Sequence, residues 1–251
     1  MSTFALKIIA SMAMLADHIG YFSNYGFETA GGIMRAVGRI AFPIYCYLIA
    51  FGFRKTHNKY AYLLRLAVFA LISEVPFNYC FYGRAEFALH NVYYTLALGL
   101  IGLMIYDKMS GSRHAAVRFL SILPVALCVT AAEWLECDYS GYGVALIFLF
   151  YLAGNSRLFA GFACILFAFR KVVEAIISAM LGGFVMPVIS QWDWVSVFAA
   201  AAAIPIIFCN GSRGPYPKSK VGRIVQKYAF YTFYPLHILI IGLIMRGYVI
   251  K

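Results

Sequence analysis

The feature that most constrains this chain is how little polar sequence interrupts its apolar runs. Mostly apolar stretches, many near the roughly 20 residues a spanning helix needs, follow one another at 5–25, 33–53, 61–81, 91–107, 117–134, 142–154, 157–189, 194–209 and 228–248. Only 12% of the 251 residues are charged and 63% are hydrophobic, whereas a soluble domain carries about a quarter charged residues. The expected fold is an all-α polytopic transmembrane bundle, a single integral membrane domain over 1–251.

The formal charge of +11 raises nucleic acid as a partner, but the basic residues fall in short loops between the runs, so no nucleic acid is expected. RKTHNK (54–59), KMSGSRHAAVR (108–118) and SRGPYPKSKVGRIVQK (212–227) are basic, GRAE (83–86) is neutral and EWLECD (133–138) is acidic. Basic loops stay in the cytoplasm. With a cytoplasmic N-terminus, nine spans put every strongly basic loop inside and the acidic one outside. The weak point is 157–189, too long for one span and interrupted by Arg170, Lys171 and Glu174. Splitting it gives ten spans but moves 212–227 outside, so one broken or partly re-entrant segment is preferred. The first run carries Asp17 and His18 and lacks a small-residue cleavage site, so its helix is expected to be retained. Six scattered cysteines, without a CxxC or a grouping with histidines, read as packing residues, and no metal is expected.

Ionisable side chains at bilayer depth are costly and usually face a protein interior or a water-filled cavity. Asp17, His18, Glu74 and His237 are the hardest to explain as packing, while Arg39 and Arg65 have the option of reaching an interface. Lys7 and His18 lie eleven residues apart, about three turns and roughly 16 Å along a helix, so they share a face with Ser11 and Met14 between them. Asp17 points about 100° away from His18. Glu74 precedes Pro76 in SEVPFN and Arg39 precedes Pro43 in GRIAFP, two places where a proline perturbs a helix beside a charge. In the last run Tyr228, Tyr231 and Tyr234 precede Pro235 and His237.

LKIIASMAMLADHIGYF, RAVGRIAFPIYCYLIAFGF, YLLRLAVFALISEVPFN, NVYYTLALGL, CNGSRG and KYAFYTFYPLHILII occur in that order. Together they resemble the TraX family, named for the membrane protein that N-acetylates F-type pilin. The resemblance runs from about residue 6 to 245. It implies a membrane acetyltransferase of the bacterial cytoplasmic (inner) membrane that uses acetyl-CoA. Carried over by motif, the site residues are Asp17, His18, Arg39, Pro43, Arg65, Glu74, Pro76, Asn91, Asn210, Gly211, Lys227, Tyr231, Tyr234 and His237. The chain departs from the pattern at Asn78, where an acid is expected, and at Ser212, where glutamate is expected. The Lys7–His18 spacing also resembles the R/K-X10-H signature of the acyltransferase-three family of membrane O-acyltransferases.

Acetyl transfer from a thioester needs a base for the acceptor's proton and a group that stabilises the oxyanion. Neutral histidine is the natural base near pH 7. His18 is the expected base, or less readily an acetyl-carrying nucleophile, with Asp17 or Glu74 orienting it and His237, Tyr231 and Tyr234 lining the same cavity. The phosphates of acetyl-CoA call for cytoplasmic basic groups. CNGSRGPYPKSK supplies glycines together with Arg213, Lys218 and Lys220, and Lys7 is placed to meet the donor's arm. The acceptor is expected to be the amine of a pilin-like protein or peptide, with the hydroxyl of a glycan or lipid head group as the alternative, reached among membrane lipids. Two rival classes stay open: a proton-coupled transporter, which also buries Asp, Glu and His, and a structural membrane partner that uses its polar residues for helix packing.

Overall fold

The computed structural model describes residues 1–23, 28–84, 89–180 and 195–249, and among these the secondary structure is helical, with no strand. The helices are α1 Thr3–Ser23, α2 Glu28–Gly38, α3 Ala41–Lys55, α4 Lys59–Tyr82, α5 Val92–Ser110, α6 Ala115–Trp134, α7 Ser140–Ala153, α8 Arg157–Ala168, α9 Arg170–Met180, α10 Val195–Ile207 and α11 Lys220–Val249. Thr3–Ser23, Ala30–Lys55, Lys59–Tyr82, Ala115–Trp134 and Lys220–Met245 are long and apolar enough to cross a membrane. Five of the nine expected crossings therefore meet a full-length helix. The helices α7, α8 and α10 are apolar but shorter; α7 reaches about 21 Å at 1.5 Å per residue, against a hydrocarbon core of about 30 Å. Met12, Leu64, Leu127 and Leu158 are exposed on helix surfaces, an outward apolar face that suits lipid and not water.

The helix boundaries differ from the sequence expectation where backbone hydrogen bonding decides them. The 33–53 run is broken at Arg39–Ile40 into α2 and α3; Pro43, lacking an N–H, cannot close the helical bond to the Arg39 carbonyl. The 157–189 run is broken at Phe169 into α8 and α9, and its residues 181–189 lie outside the described residues. The last helix begins at Lys220 and so takes in the second half of the basic loop. Pro76 and Pro235, expected to perturb their helices, lie inside continuous α4 and α11. At Pro235 the reason is visible: the carbonyl freed four residues earlier, that of Tyr231, accepts from the Tyr93 hydroxyl at 2.9 Å, so the lost bond is replaced.

The chain divides into two compact units. The first comprises Met1–Tyr45 and Asn155–Pro215. Within it α1 and α2 pack antiparallel at very close range. A Cβ on Gly38 would lie 2.2 Å from the Cβ of Asp17, and one on Gly20 would lie 2.8 Å from the Gly31 carbonyl oxygen. Only glycine permits these approaches, the small-residue packing that brings membrane helices together. The second unit comprises Cys46–Gly154 and Tyr216–Lys251. There Gly242 of α11 rests on Cys80 of α4, Gly99 of α5 on Ile147 of α7, and Gly102 of α5 on Cys128 of α6. Its interior is filled by residues such as Phe53, Leu66, Leu100, Phe150 and Ile238.

Candidate active site

In the first unit, α1 is one unbroken helix, so Lys7, Ser11, Met14 and His18 form a single stripe. Lys7 and His18 are half-buried, and the Ser11 hydroxyl shares a 2.9 Å hydrogen bond with the Tyr45 hydroxyl. Asp17 turns away from this stripe and is buried. One carboxylate oxygen accepts from Arg39 Nη2 at 2.5 Å and the other from Arg35 Nη1 at 3.3 Å. Both oxygens of Asp17, the residue expected to orient His18, accept from guanidinium groups of the helix pressed against it. Arg39, expected at the donor site, spends its charge on this pair and also donates from Nε to the Arg35 carbonyl.

The CNGSRG loop is hydrogen-bonded to the start of the chain. The Met1 amine donates to the Phe208 carbonyl at 2.8 Å, Asn210 N–H to the Met1 carbonyl at 2.9 Å, and Thr3 N–H to the Ser212 carbonyl at 2.8 Å. Asn210 folds the turn by accepting from Ser212 N–H at 3.1 Å. Gly211 and Gly214 have φ of 73° and 77°, in the left-handed region that glycine enters freely. This puts Asn210, Gly211 and exposed Arg213 at the Lys7 end of α1. Lys218, Lys220 and Lys227 belong to the second unit and are exposed; the ammonium of Lys227 lies 4.9 Å from the Tyr228 ring centre.

The second unit holds the more elaborate polar cluster. Glu74 of α4 is fully buried. Its Oε1 lies 2.9 Å from His90 Nδ1, and its Oε2 accepts from the Asn91 side chain at 2.6 Å. Asn91, expected to bind cofactor, is also fully buried. Its amide also donates to the Ala70 carbonyl at 2.8 Å, and its side-chain oxygen caps α5 by accepting from Tyr93 N–H at 3.1 Å. Asn78, one turn beyond Glu74, pairs twice with the Leu89 backbone at 3.0 and 3.2 Å. A carboxylate there would lose the donor half of that pair, which explains why an amide suits the place. His90 stacks on Tyr94 with ring centres 4.5 Å apart. The His90 carbonyl accepts from Asp138 N–H at 2.8 Å, and the Asp138 carbonyl accepts from Thr95.

Beside this cluster, Cys137 is buried. Burial first, and then the charges of Glu74 and Asp138, push its thiol up to about 11, so at neutral pH it is protonated and unsuited to nucleophilic attack. Among the described residues, no group of three or more His, Cys, Asp or Glu side chains is arranged to hold a metal ion. Farther along α4 and α11, the Arg65 guanidinium lies near Tyr231, and Phe69, Tyr93 and Tyr228 pack around the Tyr231 ring. Tyr234 is buried edge-on to Tyr93 at 5.3 Å. His237 is buried, with Nδ1 2.6 Å from the Phe233 carbonyl. A carbonyl only accepts, so Nδ1 carries the proton there and Nε2 is the basic nitrogen of neutral His237.

The family profile described as TraX protein matches residues 2–245. The chain belongs to the TraX family. Among relatives of this TraX member, the "Probable fimbrial assembly protein FimC, serogroup H1" of Dichelobacter nodosus is 29% identical, over 94% of this chain and 93% of its own length. The "Uncharacterized protein RP591" of Rickettsia prowazekii (strain Madrid E) is 23% identical, over 70% of this chain and 65% of its own. No solved structure matches. Two residues escaped the sequence reading. Arg35 sits one helical turn before Arg39 in RAVGR, a spacing that places both on one face. His90 directly precedes Asn91 in HNVYY, just outside the 91–107 run.

Proposed function

We propose that this TraX family member is an integral membrane acetyltransferase that moves the acetyl group of cytosolic acetyl-CoA to an acceptor amine. The observation that carries the reading is the tie between the CNGSRG loop and the start of the chain, at the Lys7 end of the Lys7–His18 stripe. Backbone amides around Gly211 and Gly214, with Arg213 and Lys7, offer the donor groups a phosphorylated cofactor needs. The stripe then leads roughly 16 Å inward to His18, which meets the acyl group. The same hydrogen bonds bear on topology. Residues 1–3 and 208–212 have to share one membrane face, which requires an even number of crossings between them. Nine spans with a cytoplasmic N-terminus meet that condition and ten do not. The cytoplasmic membrane of a bacterium is the setting, and a pilin-like protein is the favoured acceptor, in keeping with the fimbrial assembly name of the Dichelobacter nodosus relative.

The test is direct. Purified protein given labelled acetyl-CoA and a peptide with a free N-terminal amine should release coenzyme A thiol and acetylate the peptide. Neither turnover with amine or hydroxyl acceptors nor binding of acetyl-CoA would end the reading. A cysteine placed at Ser212 should react with a membrane-impermeant reagent only from the cytoplasmic side, and labelling from outside would refute the nine-span arrangement.

A further inference from the structure

We propose that the Tyr45 hydroxyl, held by Ser11 on the Lys7–His18 stripe, binds the pantetheine arm of acetyl-CoA by donating a hydrogen bond to the amide carbonyl farther from its sulfur. The proposal rests on the acetyltransferase reading and adds a contact which that reading does not contain. Lys7, Ser11, His18 and Tyr45 all belong to the first unit, and the site lies within it.

The two hydroxyls bring two hydrogens to one bond. Ser11 Oγ and Tyr45 Oη lie 2.9 Å apart, and among the described residues neither has a further hydrogen-bond partner. Whichever donates to the other, one O–H hydrogen is left without an acceptor. A serine inside a helix has a ready outlet for its hydrogen in the carbonyl one turn back. Ser23 of the same helix takes that outlet, donating to the Ile19 carbonyl at 2.9 Å, whereas Ser11 is turned to Tyr45. Ser11 is buried and Tyr45 only partly so, which makes the tyrosine hydrogen the one open to a ligand. Buried polar groups are almost always paired, so an unspent donor on this stripe points to an acceptor that arrives with a ligand.

The spacing selects the acceptor. Ser11 lies seven residues before His18, about 10 Å along the helix axis and within about 20° of the same line. With the thioester at His18, the farther amide carbonyl of the arm lies eight bonds from sulfur, about 10 Å in an extended chain at roughly 1.2 Å per bond. The nearer amide carbonyl is four bonds from sulfur, about 5 Å, level with Met14, whose thioether donates no hydrogen bond. Beyond the farther carbonyl, five bonds lead to the first phosphorus, about 6 Å. Lys7 stands about 6 Å from Ser11 along the axis, so the arm's two amides and its phosphate fall level with Met14, Ser11 and Lys7 in turn.

The test compares two ligands on purified protein: acetyl-CoA, and an analogue in which CH2–CH2 replaces that one amide. The quantity read is the ratio of their dissociation constants. In the unmodified protein the analogue should bind about three- to tenfold more weakly, the worth of one neutral hydrogen bond. Tyr45→Phe keeps the ring, and Ser11 can then turn its hydrogen to the Lys7 carbonyl, so the variant strands no donor and folds. We expect it to weaken acetyl-CoA and not the analogue, lowering the ratio at least threefold. A hydroxyl that only ties α1 to α3 would weaken both ligands alike, and a ratio lowered by less than threefold overturns the proposal while leaving the acetyltransferase intact. A ratio lowered more by Ser11→Ala than by Tyr45→Phe overturns it as well, because the serine would then be the donor. Failure of the unmodified protein to bind acetyl-CoA overturns both the contact and the acetyltransferase reading.

Discussion

Among the described residues each unit buries one carboxylate in its helices, and the two are satisfied in opposite ways. Asp17 faces two guanidinium groups and sits against the bare backbone of Gly38. Glu74 faces one imidazole and one amide among the described residues. The first arrangement locks two helices together, because both arginines are spent on holding one anion. In the second, a partner is held in place while one of its nitrogens stays open. A buried acid by itself does not show whether it clamps two helices or holds a single side chain in place; its partners do.

Removing the Asp17 charge is the hardest blow to this contrast. Asp17→Asn leaves Arg35 and Arg39 facing a neutral amide at a site where their side chains are only 14% and 19% exposed. Breaking such a pair costs about 3–5 kcal/mol, so thermal unfolding in detergent should shift strongly downward. Glu74→Gln should cost about 1–3 kcal/mol, because its single amide oxygen can replace only one of the two carboxylate oxygens that now face Asn91 and His90. Equal losses in the two variants would abolish the distinction between a two-arginine clamp and a single held side chain.

The sequence disclosed the helices better than the contacts. Boundaries such as 61–81 against Lys59–Tyr82 and 117–134 against Ala115–Trp134 agree within two residues, since length and apolarity alone set them in lipid. The break after Gly38 was signalled by Pro43, but continuity through Pro235 was not, because it depends on a hydroxyl from another helix. The polar residues of the candidate site stood out against lipid, and Asp17 and Glu74 are indeed buried. Their partners were harder to see. Neither Arg35 nor His90 stands out in the sequence, because one-dimensional patterns carry no information about which residues a turn brings back. Asn91 and Asn210 were legible as important, but their hydrogen bonds were not: the first caps α5 and holds Glu74, the second folds the loop bound to the chain start.

Gly38→Ala attacks the Asp17 clamp from the opposite helix without touching a charge. The new methyl would meet the Asp17 Cβ at 2.2 Å and its Oδ1 at 2.7 Å, so α1 and α2 have to move apart. Overpacking of this kind costs about 1–3 kcal/mol. Comparison with Asp17→Asn is informative: if the clamp is one unit, the double variant should lose less than the sum of the singles. Full additivity would mean that close helix approach and ion pairing are independent.

The smallest effect belongs to the second unit. Tyr93→Phe removes the hydroxyl that serves the Tyr231 carbonyl, left open because Pro235 has no N–H to offer it. An unpaired carbonyl among buried rings costs about 1–2 kcal/mol, and the ring packing against Tyr231 and Tyr234 is kept. Restoring the helical donor with Pro235→Ala should recover most of that loss in the double variant, whereas Pro235→Ala alone should change stability little. A double variant no more stable than Tyr93→Phe would show that the hydroxyl acts on something besides the carbonyl. In that event the aromatic cluster, and not the α11 backbone, would be where the second unit depends on Tyr93.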